Sequence, residues 1–200
     1  MPKSVDFYFD FASPNAYFAH KVLPSVCARC DAKLVLKPAL LGGIFKATNN
    51  QAPMIAFAQV KGKVAYDMLE IQRFIEAHGL TAFAMNSAFP VNSLMLMRAA
   101  MTFSDQVQLQ AYLEVGMRAM WELDRKMDDP DIFVRTMTEF GFDGPALLAA
   151  TQDQAVKDAL KSATEEAVAR GIFGLPSFFV GNEMFFGKER LGQIEALLTC

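Results

Sequence analysis

Cysteine is scarce here, with three in 200 residues and no even pairing pattern. A disulfide-stapled scaffold is thereby excluded, and a reducing compartment is expected. The two histidines come with no HExxH and no paired CxxC motifs, so no metal site is indicated. Positive charge is not in excess: 19 Lys and Arg against 22 Asp and Glu give a net charge of -3, and the basic residues are scattered. Nucleic acid is a poor partner for such a surface. Long apolar runs are missing too. The stretches at 94–100 and around 177–180 fall far short of the about 20 helical residues that cross a bilayer, so no membrane partner is expected. Nor does the chain open on a basic segment followed by an apolar one. Residues 5–11 instead alternate with Asp6 and Asp10, which reads as a strand and not as a cleaved leader. The expectation is a soluble, cytoplasmic protein.

What is present is enough apolar material for one sizeable core, 52% of the residues. In the first strand Val5, Phe7, Phe9 and Phe11 share one face, with Asp6, Tyr8 and Asp10 on the other, and the strand should end at Ala12. Ser13-Pro14 reads as N-cap plus first helical residue, because proline has no N–H to lose there and its fixed φ suits helix entry. A helix over 14–28 and a strand over 33–38 then form a parallel unit with a right-handed crossover, closed by Gly42-Gly43. From about 49 to 171 the strand signal disappears. Asp129-Pro130 opens a helix that Gly141 stops, Gly144-Pro145 opens a short one, and Thr151 with Gln154 suggests a capping box for the next. That helix carries an apolar stripe of Ala155, Val156, Ala159, Leu160, Ala163, Ala167 and Val168. The β pattern returns in a hairpin over 177–180 and 183–186 turned by Gly181-Asn182, and a helix over 189–198 follows.

This order is that of an α/β, thioredoxin-like domain with a large all-helical insertion. The expected division is a discontinuous thioredoxin-like domain over 1–48 and 171–200, and a helical insertion over 49–170. Four stretches carry a more specific resemblance: VDFYFDFASPNAYFA at 5–19, LLGGIFKATNN at 40–50, FPVNS at 89–93 and GIFGLPSFFVGNEMFFGKERL at 171–191. On these the chain resembles the kappa-class glutathione transferases and, more closely, the bacterial 2-hydroxychromene-2-carboxylate isomerases, both on the DsbA-like branch of the thioredoxin superfamily.

DsbA-like oxidoreductases place Cys-Pro-X-Cys where this chain has Ser13-Pro14-Asn15-Ala16. Both sulfurs are absent, so this site cannot cycle a disulfide. Free N–H groups and about half a positive charge at the helix start still favour an anion. A free thiol has a pKa of about 8.5 and reacts as the thiolate, so the resemblance assigns Ser13 the catalytic role of donating a hydrogen bond to a glutathione sulfur. It also implies a cis Leu175-Pro176 bond facing Ser13, with the Leu175 backbone pairing to glutathione as an added strand would. The remaining glutathione contacts it implies are Asn50, with Asn49 an immediate rival, Lys63, with Lys61 in play, and Lys188 and Glu189. The relatives often show a small polar residue and Asp in place of these last two. Tyr17, Phe45 and Asn92 match positions near the acceptor pocket. A homodimer and a small aromatic substrate are likewise implied by resemblance.

Other constellations point away from chemistry. Cys27-Ala-Arg-Cys30 lies near the end of the first helix, where the dipole disfavours a thiolate, and reads as structural. His20 stands seven residues past Ser13, about 10 Å along a helix, which does not suit a Ser-His pair. The twelve methionines most simply fill a helical core. The expected activity is a glutathione-dependent isomerase. A kappa-type transferase, a redox-silent peptide-binding module and thiol-disulfide exchange through Cys27 and Cys30 are the alternatives.

Overall fold

The computed structural model describes residues 3–199. β1 (Ser4–Phe9), α1 (Pro14–Arg29), β2 (Lys33–Pro38) and α2 (Leu41–Thr48) come first. The helices α3 (Pro53–Ala56), α4 (Lys63–His78), α5 (Leu94–Ala100), α6 (Gln106–Trp121), α7 (Pro130–Glu139), α8 (Gly144–Ala150) and α9 (Gln154–Ala169) follow. The hairpin of β3 (Ser177–Val180) and β4 (Glu183–Phe186) leads through a 3-10 turn at Lys188–Arg190 into α10 (Leu191–Thr199). The sheet runs in the order β2-β1-β3-β4, with β1 parallel to β2 and antiparallel to β3. No helix among the described residues is long and apolar enough to cross a membrane.

β1 is central, and both of its faces are covered. Val5, Phe7 and Phe9 are fully buried in the large core shared with α1, α6 and α10, while Tyr8 on the opposite face joins Ile44 of α2, Ala167 of α9 and Phe179 of β3. α9 thus packs on α2 and β2, although it falls within the stretch 49–170. The strand ends at Phe9, earlier than its alternation suggests. The cause is local: the Asp10 carboxylate accepts the Ala12 N–H at 2.8 Å, a turn in which a side chain replaces the ladder. The Phe11 carbonyl released there is taken by the Trp121 indole N–H at 3.0 Å, which ties α6 to the same turn.

Most helix starts fall where the sequence places them, with Ser13, Asp129 and Asp143 each accepting N–H bonds from the first turn they open. The capping box expected of Thr151 and Gln154 does not form. α8 runs to Ala150, so the Thr151 hydroxyl closes that helix by donating to the Leu148 carbonyl at 2.7 Å, and Asp153 becomes the N-cap of α9. Gln154 reaches Asp158 instead, at 2.9 Å. The last helix begins at Leu191, after the 3-10 turn, and not at Glu189.

Gly116 on α6 shows how closely the helices meet the Ser13 end of the sheet. A Cβ there would lie 2.3 Å from Cε1 of Phe11, a fully buried ring packed on Tyr112. In an exposed helix Gly→Ala stabilises by roughly 0.5–1 kcal/mol. Here Gly116→Ala is expected to destabilise by about 1–3 kcal/mol through overpacking, read from urea unfolding. A stabilised variant would show that the ring has room to move.

Candidate active site

Ser13 takes the extended backbone of an N-cap, and its Oγ accepts the Ala16 N–H at 3.2 Å. The same hydroxyl donates to the Leu175 carbonyl at 3.1 Å, across the 162 residues that separate the two in sequence. The Leu175-Pro176 bond is cis, and both Ser13 and Leu175 are buried. Ser13 therefore faces the strand edge that leads into β3.

Two chain segments extend this centre. The Pro176 carbonyl accepts the Gly187 N–H at 3.0 Å, which brings the turn carrying Lys188 and Glu189 against the same edge. Gly187 has a φ of 92°, the left-handed region that favours glycine. Lys188 is only 3% exposed; its ammonium pairs with Glu189 and lies 5.3 Å over the Phe74 ring of α4. On the other side the Asn50 amide donates to the Phe173 carbonyl at 2.8 Å, two residues before Leu175. Asn49 instead ends α2 with a φ of 53°. Of that pair, Asn50 is the one joined to the loop before Pro176.

The other sequence-selected residues are spread over α1, α2, α4 and the segment before α5, and the Tyr17 N–H donates to the Ser13 carbonyl at 3.2 Å. Lys63, the first residue of α4, pairs with Asp67 and lies 5.2 Å over the Phe57 ring; Lys61 is exposed in the turn before it. Phe45 is half-buried on α2, its carbonyl accepting the Asn50 N–H at 3.0 Å. Asn92 is exposed, and its Oδ1 accepts the Leu94 N–H at 3.0 Å as α5 begins. Tyr17 is buried against Phe18 and Phe83, and its hydroxyl donates to Glu122 at 3.0 Å. Burial and the neighbouring Glu122 charge push that phenol well above its ordinary value.

The cysteine pair occupies the opposite end of α1. Both thiols are buried, and burial, with Cys30 beside it, pushes the Cys27 thiol up to about 11. Thiolate is scarce there at neutral pH. No group of three or more His, Cys, Asp or Glu that could hold a metal occurs among the described residues.

A polar network that the sequence reading missed runs beside the site between α1 and α6. Glu114 accepts from Lys21 at 2.5 Å and pairs with His20 at 2.6 Å, while Lys21 also reaches Glu122 at 3.0 Å. The i, i+1 spacing of His20 and Lys21 gave no hint of it, because the partner carboxylates lie a helix away.

Two polar groups of Asn15, two residues past Ser13, are unmatched among the described residues. The Asn15 Oδ1 is a buried oxygen with no hydrogen-bond partner, and the Asn15 N–H, in the first turn of α1, has none among the described residues. Buried polar groups are almost always paired, so a ligand that brings both a donor and an anion suits this place.

A hydroxyl-capped helix start facing a cis-proline strand edge, on a four-stranded sheet interrupted by helices, defines a protein of the thioredoxin fold with no cysteine at the helix start. The chain belongs to the DSBA-like thioredoxin domain family, whose sequence model matches residues 4–199. It is 26% identical over 198 residues to a 2-hydroxychromene-2-carboxylate isomerase of Sphingobium xenophagum, covering 99% of each chain. It is also 26% identical to human glutathione S-transferase kappa 1, covering 99% of this chain and 92% of that one. The solved structure of a 2-hydroxychromene-2-carboxylate isomerase superposes with a TM-score of 0.84 at 25% identity, covering 98% of this chain and 94% of the other. These relatives support an enzymatic role.

The Glu114 cluster yields a pH test. Its bonds to His20 and Lys21 hold the carboxyl down at about 2, below the ordinary value of 4.5. A depressed carboxyl contributes stability that is complete above the unfolded value and is lost as the pH falls through the folded one. Because Glu114 is nearly half exposed, Glu114→Gln should cost no more than about 1 kcal/mol at pH 7. In urea titrations the gap between variant and wild type should close as the pH drops from 4.5 towards 2. A gap that stays constant over that window would remove the ion pairs as its cause.

Proposed function

We propose that this chain is a glutathione-dependent isomerase acting on 2-hydroxychromene-2-carboxylate or a related aromatic-degradation intermediate. The observation that carries the reading is the Ser13 hydroxyl at the start of α1, 3.1 Å from the Leu175 carbonyl at a cis proline. Similarity over 99% of the chain to an isomerase and a glutathione transferase supports it. A homodimer in the cytoplasm belongs to the same proposal by resemblance.

When bound at Ser13, glutathione would supply a sulfur nucleophile that is regenerated at the end of the reaction. The protein's part follows from counting protons. Ser13 has one hydroxyl proton, now given to Leu175. Turning it to a sulfur anion frees the Leu175 carbonyl to accept an N–H from the ligand backbone, so no carbonyl is left unpaired. The Ala16 N–H continues to hold the Ser13 oxygen, which keeps the hydroxyl at the helix start where the dipole favours negative charge. Asn15, Asn50, Lys188 and Glu189 are the proposed contacts to the rest of the tripeptide. Tyr17, Phe45 and Asn92 are the proposed acceptor side, with Tyr17 acting through its apolar ring because its hydroxyl is already committed to Glu122. Lys63 would have to leave Asp67 to reach a ligand carboxylate.

A kappa-type transferase, which leaves the sulfur attached to an electrophile, is the second reading, favoured by the human relative. Product identification after incubation with glutathione and either the chromene carboxylate or chlorodinitrobenzene separates the two. For the first step they share, Ser13→Ala is expected to lower turnover by roughly 10²-fold while glutathione affinity changes far less, since the lost donor acts on developing charge. The loss of the cap should cost about 1 kcal/mol of stability as well. Undiminished turnover in that variant would take Ser13 out of the reaction. Calorimetry showing no saturable glutathione binding to the wild type would leave only a redox-silent binding module.

A further inference from the structure

Asp10 is the one carboxyl group of the site region that is completely buried, and the function proposed above does not use it. Its Oδ1 accepts the Ala12 N–H at 2.8 Å, its Oδ2 accepts the Leu41 N–H at 2.7 Å, and the Ser93 hydroxyl bonds the same carboxyl. Its backbone carbonyl takes the Ser13 N–H at 3.2 Å. All the partners of the carboxyl are neutral donors, two amides and a hydroxyl. Burial pushes it above the ordinary carboxylate value, against the pull of those bonds. Surface capping would not require such a position, and a carboxyl buried without a cation is costly to keep.

The partners explain what is gained. Ala12 lies in the turn that delivers Ser13, Leu41 opens α2, and Ser93 precedes α5. These are three of the stretches singled out in the sequence, and they meet at one side chain. The fourth, carrying Leu175, meets Ser13 itself. We infer that Asp10 is a positioning residue: its carboxyl holds the Ser13 turn against α2 and α5, so that the hydroxyl is aimed at the bound sulfur and not merely at solvent. The inference rests on the Ser13 reading above, and its test has one readout that needs no ligand.

Asp10→Asn keeps the size but offers one oxygen, and its NH₂ group must confront one of the two backbone N–H groups. Amide hydrogen exchange at Ala12, Ser13 and Leu41 should quicken by at least about tenfold relative to wild type, as a local opening would. With glutathione bound, the ultraviolet band of the thiolate should appear about one pH unit higher, a tenfold loss of anion at fixed pH. The glutathione dissociation constant should stay within about threefold, since the groups that bind the rest of the tripeptide are untouched. Ser93→Ala, which removes only the hydroxyl, should move both readouts the same way and less far; if Asp10→Asn fails to fold, Ser93→Ala decides on the same criteria. Faster exchange with a wild-type thiolate titration would make Asp10 a structural tie only and overturn the inference, as would unchanged exchange. A wild-type protein with no thiolate band would count against the glutathione reading alone, and exchange at Ser13 and Leu41 would then still decide whether Asp10 positions the turn.

Discussion

A single hydroxyl proton at Ser13 joins the two halves of the site. The oxygen closes the first turn of α1 by accepting the Ala16 N–H, and the proton reaches the carbonyl that precedes Pro176. One side chain thus binds both an N–H of the first helical turn, which the Ser13 backbone carbonyl also accepts at 3.0 Å, and a carbonyl at a strand end. Ser13, Ala16 and Leu175 are all buried. The arrangement needs β1 and β3 side by side, because only then does α1, leaving β1, meet the chain that enters β3. The sheet order is therefore a condition of the site and not a background to it.

The turn between β1 and α1 is fixed from several directions at once. Asp10 holds it to α2 and α5, Trp121 of α6 takes the Phe11 carbonyl, and Gly116 of the same helix lets the Phe11 ring lie flat against α6. The helices between β2 and β3 are thereby part of the mounting of Ser13. This also accounts for one continuous core running from one face of the sheet through α1, α5 and α6. Local choices in sequence and distant contacts in space agree at this turn, which is the consistency expected where geometry must be held closely.

What could be read in advance was whatever is local. Alternation in β1, Ser-Pro at the head of α1, Asp-Pro at the head of α7 and the Gly-Asn hairpin turn each depend on neighbours a few residues away, and each formed where it was expected, apart from the earlier end of β1. Thr151 was misread because two helix ends compete for it, and only the actual length of α8 awards it to the first. The burial of Asp10 was hidden for a different reason. Alternation places it with Asp6 and Tyr8, away from the phenylalanines, and says nothing of whether α2 and α5 will close over that side. Its partners Leu41 and Ser93 are remote in sequence, and no spacing rule links them to it. The Tyr17 hydroxyl, bound to Glu122 across two helices, was out of reach for the same reason. Resemblance supplied the cis Leu175-Pro176 bond, whereas composition alone favours trans.

The polarity of α1 explains why a helix that carries two cysteines has a serine at its reactive end. Cys27 and Cys30 lie at the C-terminal end, in apolar surroundings, where burial holds the Cys27 thiol protonated and the partial charge of the helix opposes an anion. At the N-terminal end the same dipole favours an anion, an unpaired N–H waits at Asn15, and the side chain present is a donor with no sulfur of its own. Burial thus holds the Cys27 thiol protonated at one end of the helix, while the end whose dipole favours a thiolate has no cysteine. Under the proposed function, a sulfur anion at Ser13 arrives with a ligand. With Ser13 and Ala16 in place of both cysteines, the site has no disulfide to exchange, and on the same proposal it holds, orients and releases a thiol carried by another molecule.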